Sequence, residues 1–344
     1  MSWHGRGARP TPRRNRRPSN PRVAVAPFRL GLHVLTYGSS WPDALATVQA
    51  ADEAGFDDVY GADHLFATGG DPLQPFFEGW TMLAAWAQAT SRVRVGLLVG
   101  ANAFRNPAVV AKMAATIDHI SGGRFVLGLG AAWYDEEIQR HGLDPGAGIG
   151  ERLDWLDEAL GLIRRLLAGE TVTHEGPRYR FDAVHHAPGP LQASVPVLLG
   201  GEGERKGLRI VARHADLWHM WVPPDSTERF RAKNAVLREH CAAVGRDQSA
   251  ITRLPGAKVV IRDDPEEARR AFADLVALHG WPEYVWEHAW LGRAAWVAER
   301  LRAYREAGAG GFVAQVITPF DHETIERLAR EVRPALLEHT EAVR

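Results

Sequence analysis

The chain has 344 residues, 45% hydrophobic and 24% charged, with a formal net charge of −1. That length and composition allow a large buried core, and the near-zero charge argues against nucleic acid or an anionic membrane surface as a partner. A single cysteine, Cys241, rules out an internal disulfide, and no apolar run reaches the roughly 20 residues that a bilayer span needs. The chain therefore reads as a cytoplasmic protein acting on a small molecule.

In chain order, residues 1–22 (MSWHGRGARPTPRRNRRPSNPR) carry seven arginines and no acid, which predicts a disordered basic arm over 1–25. A twin-arginine export signal would need an apolar stretch after RRNRR, where prolines stand instead. From 26 to 340 a single domain is expected. Apolar runs at 28–34, 57–63, 93–99, 124–130, 195–201, 215–221, 257–261 and 310–317 read as eight strands. Helical patterns lie between them, including 42–54, 107–120, 152–167, 230–244, 265–278, 294–307 and 322–337. Regular alternation implies parallel strands with crossover helices, and eight units over this length fit a (β/α)8 barrel better than an open sheet. The extra segments 66–80, 133–150, 169–193 and 280–292 mostly follow strand ends, where a barrel builds its active site, so they read as pocket walls.

In RNPAVVAKMAATIDHISGGRF, Asn106 can cap a helix, Pro107 suits its first position and Gly122 or Gly123 can end it. Val110, Met113, Ala114, Ile117 and Ile120 then share one apolar face. Cys241, on a helix among apolar neighbours, reads as a buried inert thiol.

The chemistry is expected at the strand C-termini. The second strand ends in YGADHLF, placing Asp63 and His64 at the mouth: the histidine can exchange protons near neutral pH and an adjacent acid can orient it. Alternatively, Asp63 caps the loop and His64 is a satisfied wall residue. Gly100, Ala101, Gly130, Ala131 and Ala132, at the ends of the third and fourth strands, suit a flat group packed on backbone, or simply close strand packing. The fifth strand runs into GGEGERKG, where Gly200, Gly201 and Gly203 lead to a helix whose first N–H groups favour an anion, with Arg205 and Lys206 beside them. A flexible turn would use the same glycines. His33, Trp218, His219 and Trp221 point toward strand ends and are candidates for a substrate pocket. No metal site is expected, because the first strand lacks a His-x-His pair and no carboxylate or lysine bridge follows.

Together, GFDDVYGADHL at 55–65, RVRVGLLVGANAFRNPAVVAKMAATIDHISGGRFVLGLGAAWYDEE at 92–137, LLGGEGERKGLRIVARHADLW at 198–218 and VAERLRAYREAGAGGFVAQV at 297–316 resemble the luciferase-like monooxygenase superfamily, in its coenzyme F420-dependent oxidoreductase branch. The resemblance spans about 28–337. It implies a (β/α)8 barrel that binds a flavin or deazaflavin at the strand C-termini, with a non-prolyl cis peptide at Leu98–Val99 against the ring and the glycine loop around the cofactor phosphate. The cofactor contacts implied are Leu98, Val99, Gly100, Asn102, Gly130, Ala131, Tyr134, Gly200, Gly201, Glu202, Gly203 and Arg205. His64 matches the histidine that relatives place near the reacting ring carbon. Trp133 stands where sugar-phosphate dehydrogenase relatives carry a catalytic glutamate, which assigns it to the substrate side. LGRAAWVAERL lacks the Pro-Glu pair of many relatives, so the last lid is expected to differ. A homodimer is implied as well. The resulting expectation is hydride transfer between F420 and a small organic substrate. A reduced-FMN monooxygenase is the alternative within enzymes, and a barrel that binds cofactor without turnover is the alternative outside them.

Overall fold

The computed structural model describes residues 28–336; the predicted basic arm and the chain after 336 lie outside the described residues. Eight parallel strands form a closed barrel: β1 (Arg29–Leu35), β2 (Asp58–Gly61), β3 (Arg94–Leu97), β4 (Phe125–Gly130), β5 (Val197–Gly200), β6 (Leu217–Trp221), β7 (Thr252–Ile261) and β8 (Gly311–Ile317). Each pairs with the next, and β8 closes on β1. This is the (β/α)8 barrel that the alternation implied.

Side-chain alternation builds the interior. Tyr60, Val126, Leu198, Leu217, Leu254 and Val313 come from six different strands and fill the barrel, with Leu98 and Val99 packed against them. Gly31 and Gly96 contribute no side chain; a Cβ on Gly31 would sit 3.3 Å from Tyr60 and one on Gly96 2.7 Å from the Val126 carbonyl. The plug is therefore uneven, and its upper surface is the floor of the mouth. A larger apolar cluster lies between the strands and the helices.

The helix Pro107–Ser121 forms as its caps dictate. Asn106 accepts from Ala108 N–H, Pro107 takes the first position, and Gly122 ends it at φ 66°. Its buried stripe includes Val110, Ala114 and Ile117, with Met113 partly buried beside it, whereas Ile120 lies on the exposed edge. Cys241, on the helix Glu228–Ala243, is buried, and burial raises its thiol pKa, as an inert packing residue requires.

Two elements differ from the sequence reading. A helix at Gly79–Ala89, capped by the Glu78 carboxylate, follows the long segment after β2. Strand β7 begins at Thr252 rather than 257 and includes Pro255 and Gly256, residues that ordinarily punctuate strands. The long β7 changes neighbours along its length. Residues 252–256 pair with β6, residues 256–258 pair with β8, and residues 258–261 pair with a short strand, Ala289–Gly292. The other wall segments contain a short helix, Asp135–Arg140, and an antiparallel hairpin, Val172–Glu175 with Arg180–Val184.

Candidate active site

A cleft of about 420 Å³ opens over the C-terminal ends of β2 to β6. One side is nearly bare backbone. The Leu98–Val99 peptide is cis, at the position expected. After it the chain rejoins β4 through Gly100 and Ala101. A Cβ on Gly130 would lie 2.6 Å from Val99 Cγ2, and one on Gly200 3.5 Å from Val99 Cγ1. Val99 thus interlocks with glycines from two strands, which seats the cis peptide in the wall. Leu98, Val99, Gly100, Gly130, Ala131 and residues 200–203 all line this cleft. Gly201 needs its glycine, with φ 111°.

His64 lines the same cleft. Its Nδ1 lies 2.8 Å from Glu137 Oε2, a carboxylate buried on the helix Asp135–Arg140. The other Glu137 oxygen accepts from the N–H groups of Leu65 and Phe66. An ionised carboxylate only accepts, so it holds the hydrogen on Nδ1 and leaves Nε2 to exchange a proton in the cleft. Trp133, 61% exposed, stands edge-on to His64 at 6.0 Å. Glu137 was not foreseen. Its segment, YDEEIQR, offers three acids in succession, and only the inward face of a six-residue helix distinguishes the third.

Asp63 has a different role from the one expected. Its carboxylate accepts from Ala101 N–H at 2.9 Å and from both Arg105 Nη atoms at 2.7 and 3.0 Å. It clamps the end of β2 to the segment after β3, and Glu137 orients His64 in its place. Asn102 faces away from the main cleft: its amide nitrogen donates to Tyr179 Oη at 3.0 Å and it lines a separate shallow crevice. Tyr134 also lies outside the cleft lining, with its hydroxyl on Glu136 and its ring stacked on Trp133. Arg205 is exposed and off the cleft, and Lys206 is held by the Gly150 carbonyl and Asp154. Glu202 lines the cleft and pairs with Arg229. The loop therefore offers a ligand its backbone more than the two predicted cations.

On β6, successive residues diverge. The Trp218 indole packs parallel to Phe230, 6.2 Å away on the outer side, and donates to the Gly201 carbonyl at 2.7 Å. It braces the glycine loop and does not line the substrate space. His219 and Trp221 do line the cleft, meeting edge to face at 4.7 Å. A Cβ on Gly256 would come within 2.3 Å of His219 Nε2, so the glycine makes room for the imidazole. His33 lies behind Trp221, at 6.2 Å between ring centres, and is buried on β1. Burial first, then His219 and Lys258, lowers its pKa from 6.5 to about 3; burial alone lowers that of His219 to about 3.

A stability prediction follows from these two histidines. Their folded pKa values lie below the unfolded value, so their contribution is complete above about pH 6.5 and is lost as pH falls toward 3. Each should add a slope of about 1.4 kcal/mol per pH unit in that window. Thermal melts between pH 4 and 8 should show His219→Gln less acid-sensitive than the wild type. Identical acid slopes would remove the argument.

Known proteins share this fold and sequence to different degrees. The family described as luciferase-like monooxygenase matches residues 22–329. A Mycobacterium tuberculosis protein that carries the name of a coenzyme F420-dependent oxidoreductase is 32% identical over 277 residues, 74% of this chain and 73% of the relative. Pyrimidine monooxygenase RutA of Stutzerimonas stutzeri is 29% identical over 282 residues, 80% of this chain and 72% of that protein. Among solved structures, an F420-dependent secondary alcohol dehydrogenase bound to an F420-acetone adduct superposes with a TM-score of 0.77 at 21% identity, covering 90% of this chain and 99% of that one. Monooxygenase RslO1 from Streptomyces bottropensis gives 0.74 at 23% identity over 91% of this chain and 100% of its own. At those identities the two structures establish the shared fold.

Proposed function

The chain belongs to the luciferase-like monooxygenase family, whose relatives are F420- or flavin-dependent oxidoreductases, and from that premise we propose that it exchanges a hydride between coenzyme F420 and a small organic substrate. The observation that carries this reading is that one cleft holds both the small-residue surface at 100–101, 130–132 and 200–201 and His64, which Glu137 holds in a single tautomer. Simple ligand binding has no need of a histidine so oriented.

The residues present fit a tricyclic cofactor with a phosphate. Gly130 and Gly200 let Val99 pack closely, and the small residues at 100–101 and 130–132 that line the cleft leave room for the ring. Gly201 and Gly203 expose backbone before the helix Gly207–His214, whose first N–H groups lack a side-chain cap. A bound deazaflavin supplies the hydride-carrying carbon. The chain's own part is to position the partners at roughly 3–3.5 Å and to let His64 Nε2 give or take the proton that accompanies the hydride. Trp133 and Trp221 narrow the cleft and help exclude water.

The likeness to RutA supports a second reading, a reduced-FMN monooxygenase. Titrating the full chain with F420 and FMN, each oxidised and reduced, and following tryptophan fluorescence separates the two. The proposal expects tight binding of F420 alone. Binding of reduced FMN alone would transfer the assignment to oxygen-dependent chemistry, and binding of neither would overturn both.

A further inference from the structure

Lys258 belongs to AKVVI, an apolar stretch of β7, yet it carries an ammonium that reaches two indoles. The nitrogen lies 5.1 Å from the centre of the Trp221 indole and 5.6 Å from that of Trp281. Among the described residues no carboxylate pairs with it. Asp321, which lines the same small crevice, is held by Arg262 at 3.0 Å and by the Thr324 hydroxyl at 2.6 Å. The other titratable groups that feel its charge are His33 and His288, and neither brings a negative charge. Burial lowers the pKa of Lys258 to about 8, the direction expected for an ammonium removed from water without a counter-ion.

A second group waits beside it. Gln315 on β8 is register-paired both to His33 on β1 and to Lys258 on β7, so the three residues form one row across adjacent strands. The Gln315 amide nitrogen lies 2.9 Å from His33 Nδ1. That nitrogen can only donate, so Nδ1 accepts and the imidazole hydrogen sits on Nε2. Nε2 is buried and has no partner. An ammonium without a carboxylate partner and an unused N–H donor therefore lie in one row, each beside Trp221; Trp221 lines the cleft, whereas Lys258 and Gln315 line a separate small crevice.

We propose that Lys258 and His33 form the anion-binding end of the substrate site, and that the substrates of this cleft are organic acids bearing a carboxylate. A carboxylate would supply the missing counter-charge and accept the free N–H, while the rest of the substrate lies along Trp221 toward His64. One ammonium and one neutral imidazole, without a guanidinium or a helix start, match a single negative charge and not a phosphate dianion. Neutral substrates of the same shape would leave the ammonium unpaired and are discriminated against. The inference rests on this cleft being the substrate site, as the proposed function has it, but not on which cofactor is used.

The test is calorimetric titration of the full chain with benzoate and hexanoate against benzamide and hexanamide, at pH 7. Each acid should bind at least tenfold more tightly than its amide. Lys258→Met should bring the acids to the level of the amides, and Lys258→Arg should keep the preference for acids. In the wild type, acid binding should weaken tenfold per pH unit above about 8, a measurement that does not depend on a variant folding. Acids that bind no better than their amides, acid binding that survives Lys258→Met, or tighter binding of phenyl phosphate than of benzoate would each overturn the proposal. F420 binding, read separately from the cofactor's own visible absorbance, keeps failure of the cofactor assignment distinct from failure here.

Discussion

Gly128→Ala is expected to destabilise the protein by about 3 kcal/mol or more. A Cβ at Gly128 would lie 1.7 Å from the Leu97 carbonyl oxygen and 2.8 Å from its carbon. Both obstacles are backbone, so no rotamer change relieves them. β3 and β4 would have to separate, which breaks the pairing of Val95 with Phe125 and of Gly96 with Val126 and displaces Leu98 and Val99 above them. A fall in melting temperature of roughly 6–12 °C should follow, together with loss of cofactor binding. Gly161→Ala is the matched control. It lies in the helix Ile149–Leu167 with nothing within 4 Å of its Cβ, and gaining helix propensity there should leave stability unchanged or raise it by up to about 1 kcal/mol. If Gly128→Ala melts with the wild type, the close approach of β4 to the Leu97 carbonyl is wrong.

His64→Ala should lower kcat by about 10²–10⁴, the usual scale for a positioned proton donor or acceptor, while cofactor affinity changes no more than a few-fold. Glu137→Gln examines the support behind it. One Glu137 oxygen takes the Leu65 and Phe66 N–H groups and the other takes His64 Nδ1. A glutamine that keeps its oxygen on the backbone donors must turn its NH2 toward Nδ1, which forces that nitrogen to accept and moves the ring hydrogen to Nε2. We expect a loss in kcat of at least about tenfold, with KM and melting temperature little changed. A variant that loses stability but keeps kcat would make Glu137 a packing residue only. Full activity in His64→Ala would remove the histidine from the chemistry.

The barrel was legible because its signals repeat eight times. Alternating strand and helix patterns point to one topology, and small errors at element ends do not alter it. The glycine wall was legible for a related reason, since glycines at successive strand ends have few purposes other than close approach. The active-site pair was only half legible. Asp63 and His64 are adjacent in sequence, but consecutive residues at a strand end diverge, so the acid turned to Arg105 and the histidine to Glu137, 73 residues later. Trp218 and His219 separate for the same reason. Lys258 was hidden by its surroundings, because a lysine within a valine-rich run reads as an edge of the core until the indoles on either side of it are known. Pro255 and Gly256 concealed half of β7 by resembling a turn.

The way β7 changes partners has a consequence for how this barrel can diversify. At Gly256 the strand stops pairing with β6, and from Lys258 it takes the short strand Ala289–Gly292 instead. The rim there is an added panel, whereas the glycine surface between β3 and β5 is laid down by the closed barrel itself. Residues 262–293, which carry this panel, belong to none of the strands that lay down the glycine surface. Changes in that contiguous cassette would reach the Lys258–Trp281 contact before they reach the glycine surface. Transplanting that cassette between two such barrels is the engineering step it invites.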